Sequence, residues 1–187
     1  MNILILNGSP RKNGKISTIL HEAEKSMLEN GNSVTFVDVS SIQFKSCTGC
    51  MVCRSKGSCL LPTDDAHKVA EEIKKCDHLI VGTPVYWGNM SGTLKCLFDR
   101  MVASMMGESK RGIPIPLHKG KKAVIVTACT TPFPFNILAS QTTKAEKALK
   151  EILGYSGFKI TKKIRLAGTK GMKEVPQKLL KKAAQIF

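Results

Sequence analysis

The sequence predicts an α/β protein, built from a parallel β-sheet with helices on both faces. Five short apolar runs of strand character alternate along the chain with segments whose apolar residues recur at helical spacing. Several of these runs are continuous, which is typical of strands buried on both faces. Alternating strands and helices favour a parallel sheet whose crossover helices cover both sides.

The predicted elements follow in a regular order. The strands are expected at residues 3–6, 34–39, 79–82, 123–128 and 158–166. Helical spacing predicts helices at 15–29, 64–73, 94–105, 137–154 and 175–187. Thr63 is the expected N-cap of the second helix, and the Gly- and Pro-rich stretch 106–121 is expected to be a mobile loop.

Length and composition predict one domain over residues 1–187, with a cysteine-rich insertion at about 44–62. The first residues lack the pattern of a signal peptide, and no apolar run approaches the roughly 20 residues of a membrane span. We therefore expect a cytoplasmic protein without membrane contact, whose seven cysteines are reduced or metal-bound.

The net charge of +15 favours an acidic partner, such as a phosphorylated cofactor, an acidic electron-transfer protein or a nucleic acid. The lysines, however, are spread along the chain without the interleaved aromatic residues of a single-strand binding surface. A solvated basic surface is thus favoured over a nucleic-acid site.

Four cysteines form the most distinctive cluster of the chain, with the spacing C-x2-C-x2-C-x5-C: Cys47, Cys50, Cys53 and Cys59. Compact runs of this kind ligate iron–sulfur clusters, although the common bacterial run has x3 before its last Cys and a Pro after it. Zinc sites usually split their ligands into two separated pairs. A four-iron cluster, a zinc ion, and idle or redox-active thiols all remain open at this point.

Ligands of open α/β sheets bind beyond the carboxyl ends of the strands, where the strand order switches. The loop 7–18 after the first strand combines Gly, Pro, hydroxyls and Arg11 at the start of a helix, which suits a phosphate. It matches neither a Walker loop nor the G-x-G-x-x-G fingerprint. The phosphate is therefore held by another geometry.

Two further loops carry aromatic residues at strand ends. Residues 82–92 contain Tyr86 and Trp87 among glycines, which suits a flat heterocycle, and residues 127–135 add hydroxyls and two Phe. A phosphate at the first loop and a planar ring between the other two describe a mononucleotide such as FMN. The flavodoxin-like strand order 2-1-3-4-5 places FMN at this switch point.

The stretches Gly-Ser-Pro-Arg-Lys-Asn-Gly at 8–14 and Thr-Pro-Val-Tyr-Trp-Gly-Asn-Met-Ser-Gly at 83–92 resemble the NAD(P)H-dependent FMN reductase family. With the cysteine run between them, the chain resembles the iron–sulfur flavoprotein branch of that family. The resemblance covers nearly the whole chain. It implies a flavodoxin-like three-layer fold, bound FMN, a [4Fe-4S] cluster on the four cysteines, and homodimers or homotetramers.

The resemblance also implies the cofactor contacts. The phosphate would be held by Ser9, Arg11, Lys15, Ser17 and Thr18. The isoalloxazine would be contacted by Thr83, Pro84, Val85, Tyr86, Trp87, Gly88 and Asn89. Family members often have Asn-Thr where this chain has Lys15-Ile16, so Ser17 or Thr18 then supplies the hydroxyl.

The implied function is an FMN-dependent oxidoreductase that takes electrons from NAD(P)H, or from a ferredoxin, and passes them to a small-molecule or protein acceptor. The flavin does the chemistry, so no catalytic side chain is assigned. An alternative is a non-enzymatic electron carrier with a flavin and an iron–sulfur cluster, and the charge of +15 fits docking to an acidic ferredoxin.

Overall fold

A computed structural model describes residues 1–186. The strands are β1 (Asn2–Asn7), β2 (Ser33–Asp38), β3 (His78–Pro84), β4 (Met106–Glu108), β5 (Pro114–Pro116), β6 (Lys122–Ala128) and β7 (Lys159–Leu166). The helices are α1 (Lys15–Glu29), α2 (Val52–Lys56), α3 (Asp65–Lys75), α4 (Gly92–Arg100), α5 (Val102–Met105), α6 (Phe135–Leu138), α7 (Gln141–Ser156) and α8 (Gln177–Ala184).

The main sheet has five parallel strands in the order β2-β1-β3-β6-β7. The predicted order 2-1-3-4-5 is confirmed, because β6 and β7 are the fourth and fifth strands of this sheet. The chain moves from β1 to one side for β2 and crosses to the other side for β3. The loops after β1 and β3 therefore diverge, and this divergence opens the switch point.

Each central strand is buried on both faces, as the continuous apolar runs predict. Leu4, Leu79 and Ile125 face one apolar core, which α3, α4, α5 and α7 complete. Ile5 and Val124 face a second core, completed by α1 and α8. The two cores fix the helices on opposite sides of the sheet, so that the helix starts and strand ends lie in defined positions around the switch point.

The edge strand β7 carries cations along its length. Lys159, Lys163 and Arg165 are exposed, whereas Ile164 and Leu166 are buried against the second core. Alternation of this kind is expected for a strand with one neighbour and one solvent-facing edge.

Three features differ from the sequence-based expectations. The N-cap of α3 is Asp64, not Thr63: its Oδ1 accepts a hydrogen bond from the Ala66 amide at 3.1 Å, and the Asp64 amide donates to His67 Nδ1 at 3.1 Å. Residues 106–116 are not an irregular loop but an antiparallel hairpin of β4 and β5. Phe187, the end of the predicted last helix and domain, lies outside the described residues.

Candidate cofactor site

A cleft of about 620 Å³ lies beyond the carboxyl ends of β1, β3 and β6. Four loops form its walls, and the residues that line it are Ser9, Arg11, Asn13, Gly14, Lys15, Ile16, Pro84, Val85, Tyr86, Ala128, Cys129, Thr130, Thr169, Gly171 and Met172. Its volume lies in the range of small-molecule and cofactor sites. The cleft is therefore at the position where an open α/β sheet binds its ligand.

A buried hydrogen-bond network shapes the first wall from below. The Asn7 side chain, fully buried, donates to Ser17 Oγ at 2.9 Å and to Asp38 Oδ1 at 2.7 Å, and its Oδ1 accepts from the Ser9 amide at 3.1 Å. Ser17 Oγ in turn donates to the Arg11 carbonyl at 2.7 Å. These bonds hold the loop in one conformation without using any group that faces the cleft.

The start of α1 opens into this cleft. Gly14 is its N-cap, and within residues 1–186 no side chain caps this end and no acidic residue lies in its first turn. Amides at a helix start carry partial positive charge and bind anions. A Cβ at position 14 would stand 2.9 Å from Arg11 Cβ and 3.1 Å from the Arg11 carbonyl oxygen, so the tight turn requires glycine. The geometry and charge suit a phosphate group.

The loop after β3 forms the second wall. The Val85 amide donates to the Ala128 carbonyl at 2.8 Å, which ties this wall to the end of β6. Tyr86 and Asn89 exchange backbone hydrogen bonds of 2.9 Å in both directions, and this closes a turn whose central residues, Trp87 and Gly88, have positive φ angles of 52° and 73°. The Trp87 side chain at the tip is fully exposed.

The fourth wall, residues 169–172, was not predicted. Thr169 is fixed to the end of β6, since its amide and its Oγ1 both donate to the Cys129 carbonyl at 3.1 Å. Across the cleft, Lys15 Nζ donates to the Lys173 carbonyl. The available signal was topological: the loop after the fifth strand ends at the same edge of the sheet as the other loops, and it contains two glycines with positive φ, Gly168 and Gly171.

Six of the twelve predicted cofactor-binding residues line the cleft: Ser9, Arg11, Lys15, Pro84, Val85 and Tyr86. The other six lie behind or beside its walls. Ser17 is buried under the loop, and the exposed Thr18 donates from Oγ1 to the Gly14 carbonyl at 3.1 Å. Thr83 is buried, where its Oγ1 accepts from the Ser91 amide at 2.9 Å and donates to the Pro84 carbonyl at 3.0 Å.

Trp87, Gly88 and Asn89 form the tip of the second loop and are not among the residues that line the cleft. Of the third loop, Ala128, Cys129 and Thr130 line the cleft, whereas both Phe are exposed outside it. The contacts of all twelve predicted residues with a cofactor stay predictions.

The four clustered cysteines lie on one exposed segment that includes the short helix α2. Cys47 and Cys50 are exposed, whereas Cys53 and Cys59 are half-buried. Burial, followed by the negative charge of Cys59, Cys47 and Cys50, raises the pKa of the Cys53 thiol. The four sulfurs therefore lie within electrostatic range of one another and form a set of soft donors suited to iron.

Two limits apply to this segment and to the chain. Within the part of the chain that the structure describes, no three or more His, Cys, Asp or Glu side chains are arranged to hold a metal ion. Over the same residues, none of the helices combines the length and the apolar character needed to cross a bilayer. Of the remaining cysteines, burial raises the pKa of the Cys76 thiol to about 11, which makes it an inert core residue.

The sheet order and the cleft define a doubly wound α/β protein with its ligand site at the switch point. The chain belongs to the family described as having a flavodoxin-like fold, whose pattern it matches over residues 1–186.

Among curated proteins, it is similar to an iron–sulfur flavoprotein of Methanocaldococcus jannaschii, with 33% identity over 100 residues, covering 54% of this chain and 51% of that protein. The match thus spans about half the length of that relative, and the same holds for a similar protein of Archaeoglobus fulgidus, of which 52% is covered.

Two matches cover most of the chain. The FMN-dependent NADH:quinone oxidoreductase 1 of Colwellia psychrerythraea is 28% identical over 175 residues, covering 84% of this chain and 85% of that protein. The crystal structure of an FMN-dependent NADH-azoreductase of Bacillus anthracis, in complex with FMN, superimposes with a TM-score of 0.75 at 15% identity and covers 99% of this chain and 94% of that one. At that identity the superposition speaks for the fold alone.

Proposed function

We propose that this protein is an FMN-dependent oxidoreductase that takes electrons from NAD(P)H and passes them to a small-molecule or protein acceptor. The single observation that carries the proposal is the uncapped start of α1 opening into a cleft of about 620 Å³ at the switch point of the sheet. The similarity to a curated FMN-dependent NADH:quinone oxidoreductase over 84% of the chain supports it.

In this proposal the chain binds and orients FMN. The α1 amides and the Arg11 guanidinium would bind the phosphate, and Gly14 would leave room for its close approach. Pro84, Val85 and Tyr86 would orient the isoalloxazine from one side, facing Thr130 on the other. When bound, FMN supplies the redox chemistry, accepting hydride from a nicotinamide and releasing the electrons singly or in pairs.

We further propose that Cys47, Cys50, Cys53 and Cys59 hold a [4Fe-4S] cluster. Support comes from the mutual electrostatic influence of the four sulfurs and from the similarity to curated iron–sulfur flavoproteins. The acceptor would be a small molecule or an acidic protein such as a ferredoxin, which the charge of +15 favours. A homodimer or homotetramer in the cytoplasm, with residues 1–187 as one FMN-binding domain, completes the proposal.

The test starts from protein purified without oxygen, on which FMN binding is measured by fluorescence quenching and NADH and NADPH oxidation by stopped flow. Arg11→Gln should weaken FMN binding about tenfold, or about 1.4 kcal/mol, because it removes a charged partner of the phosphate. Lys12→Gln is the matched control, since Lys12 is exposed and does not line the cleft. No flavin binding by the wild type, even with FMN added, would overturn the proposal.

The same experiment separates the enzyme from the electron carrier. Turnover of NADH or NADPH with a free acceptor supports the enzyme. Bound FMN that is reduced by a reduced ferredoxin but not by either nicotinamide nucleotide supports the carrier, which the basic surface and the exposed cysteine segment favour.

A further inference from the structure

A buried arginine lies directly beneath the cysteine segment. Arg100, the last residue of α4, has a side chain that is only 1% exposed. Its Nε donates to the Lys45 carbonyl at 3.0 Å, and its Nη2 lies 3.2 Å from Asp64 Oδ2 and 3.5 Å from the Pro62 carbonyl. Its Nη1 donates to Cys59 Sγ. One guanidinium thus connects the two ends of the cysteine segment to the main helical layer.

The partner of Nη1 indicates what this arrangement is suited to. A buried guanidinium requires acceptors for its donors, because an unpaired charge in the interior is costly. A neutral thiol is only a weak acceptor. A sulfur that carries negative charge, as a metal-bound thiolate does, forms a stronger, charge-assisted hydrogen bond. Arg100 is therefore complementary to a Cys59 sulfur that carries charge.

Asp64 balances the charge of Arg100 on the other side. Burial acts to raise the pKa of Asp64, but the Lys45 amide, the charge of Arg100 and hydrogen bonds from His67 and Arg100 outweigh it, so that the pKa is lowered. Asp64 is thus ionised at neutral pH, and its Oδ2 also accepts from the Lys45 amide at 3.1 Å. Cys59 and Asp64 share one cation, so a change at Asp64 alters the field at the sulfur.

We propose that Arg100 is a positioning residue that holds Cys59 in the four-cysteine site and raises the reduction potential of the cluster bound there. This inference rests on the proposed function, in which Cys59 ligates a [4Fe-4S] cluster. One-electron reduction adds negative charge to such a cluster, and a neighbouring cation that donates to a ligand sulfur stabilises the reduced form. Net charge and hydrogen bonds to sulfur are established determinants of cluster potential.

The experiment measures the midpoint potential by EPR-monitored titration with dithionite on protein reconstituted anaerobically with iron and sulfide. Arg100→Gln removes the charge and should shift the reduced-to-oxidised ratio at least tenfold toward the oxidised form, about 59 mV for one electron. Arg100→Lys restores the charge and should bring the potential back toward the wild type. Arg54→Gln is the control, because Arg54 lies on the same segment but its Nη1 pairs at 2.7 Å with Glu108 on the other side.

Asp64→Asn gives the decisive sign. It leaves the charge of Arg100 unbalanced and should raise the potential, while asparagine remains a good N-cap for α3. Loosening of the segment by itself would shift both variants in the same direction, whereas the inferred electrostatic role shifts them in opposite directions. The midpoint potential of the bound FMN, measured in the same titration, should stay constant in every variant.

Three outcomes would overturn the inference. Arg100→Gln with a wild-type cluster potential contradicts it, as does an equal shift in Arg54→Gln. If Arg100→Gln does not retain iron, Asp64→Asn and Arg100→Lys decide: a lowered potential in Asp64→Asn, or one equally lowered in both, contradicts it. A wild-type protein that takes up no iron overturns the cluster proposal together with this inference, and iron analysis of the wild type distinguishes that failure from the others.

Discussion

The phosphate end of the cleft and the cysteine segment are held in opposite ways. The first is braced by Asn7 and Ser17, which are fully buried and reach the loop from below. The second has two exposed cysteines and is tied down at its margins by two arginines, Arg54 and Arg100. The first geometry depends on the core of the protein, and the second depends on a few polar tethers.

The difference teaches where preorganisation comes from in each site. The α1 amides are positioned whether or not a ligand is present, because their supports are part of the folded core, and binding therefore costs little reorganisation. The cysteine segment has few buried apolar contacts of its own, so a bound metal centre would contribute directly to its order. Mutations should accordingly act globally in the first region and locally in the second.

The largest effect is expected from Asn7→Ala. It removes three side-chain hydrogen bonds and leaves the Ser9 amide and the Asp38 carboxylate without their buried partner, which should cost about 3 kcal/mol of unfolding free energy. FMN affinity should fall more than tenfold, because the loop loses its brace. Urea unfolding and flavin fluorescence measure both, with the exposed Asn30→Ala as control. A loss below about 1 kcal/mol would contradict core bracing.

Gly82→Ala should cost about 2 kcal/mol through overpacking. A Cβ at this position would stand 2.6 Å from Leu20 Cδ1 and 2.9 Å from Ile16 Cγ2, so α1 must move away from β3. Gly92→Ala is the matched control, since no atom lies within 4 Å of its added Cβ, and it should leave stability unchanged or slightly raised. Urea denaturation midpoints check both, and equal costs would show that the contact between α1 and β3 does not position the cleft.

Two neighbouring hydroxyls separate brace from ligand. Ser17→Ala should cost about 1.5 kcal/mol, because it removes buried bonds to Asn7 and to the Arg11 carbonyl. Thr18→Ala should change stability by less than about 0.5 kcal/mol, since Thr18 is exposed. FMN titration completes the comparison: weaker binding in Thr18→Ala with unchanged stability would identify Thr18 as a phosphate ligand after all.

The smallest effect concerns the cysteine segment and depends on pH. Because the pKa of Asp64 is lowered in the folded protein, its carboxylate stabilises the fold fully above the usual pKa of about 4, and this contribution disappears as the pH falls through the lowered value. Asp64→Asn should therefore be about 1 kcal/mol less stable near neutral pH and equal to the wild type in strong acid. Urea unfolding between neutral and acidic pH checks this, and a difference independent of pH would contradict it.

The sequence predicted those parts of the molecule that depend on local pattern. Continuous apolar runs located the central strands, and Gly14 and Arg11 located the phosphate end of the cleft. The hairpin 106–116 was missed because its strands have three residues each, and glycines and prolines are typical of loops.

The features that sequence patterns left out depend on contacts between distant residues. Thr169 and Met172 reach the cleft only because the ends of all the strands gather at one edge of the sheet. Arg100 appears in the sequence as an ordinary polar position on α4, and it becomes buried only because the cysteine segment folds over it. Asn7, at the end of β1, contacts partners 10 and 31 residues away.

The charged edge strand β7 has a consequence for the behaviour of the protein at high concentration. An edge strand presents unpaired amides and carbonyls, and a second molecule that adds its own strand there would begin an aggregate. Such pairing would bring Lys159, Lys163 and Arg165 of two molecules face to face, so like-charge repulsion keeps the sheet closed at five strands. Acetylation of these lysines would remove that protection and promote self-association, without changing a single contact in the cleft.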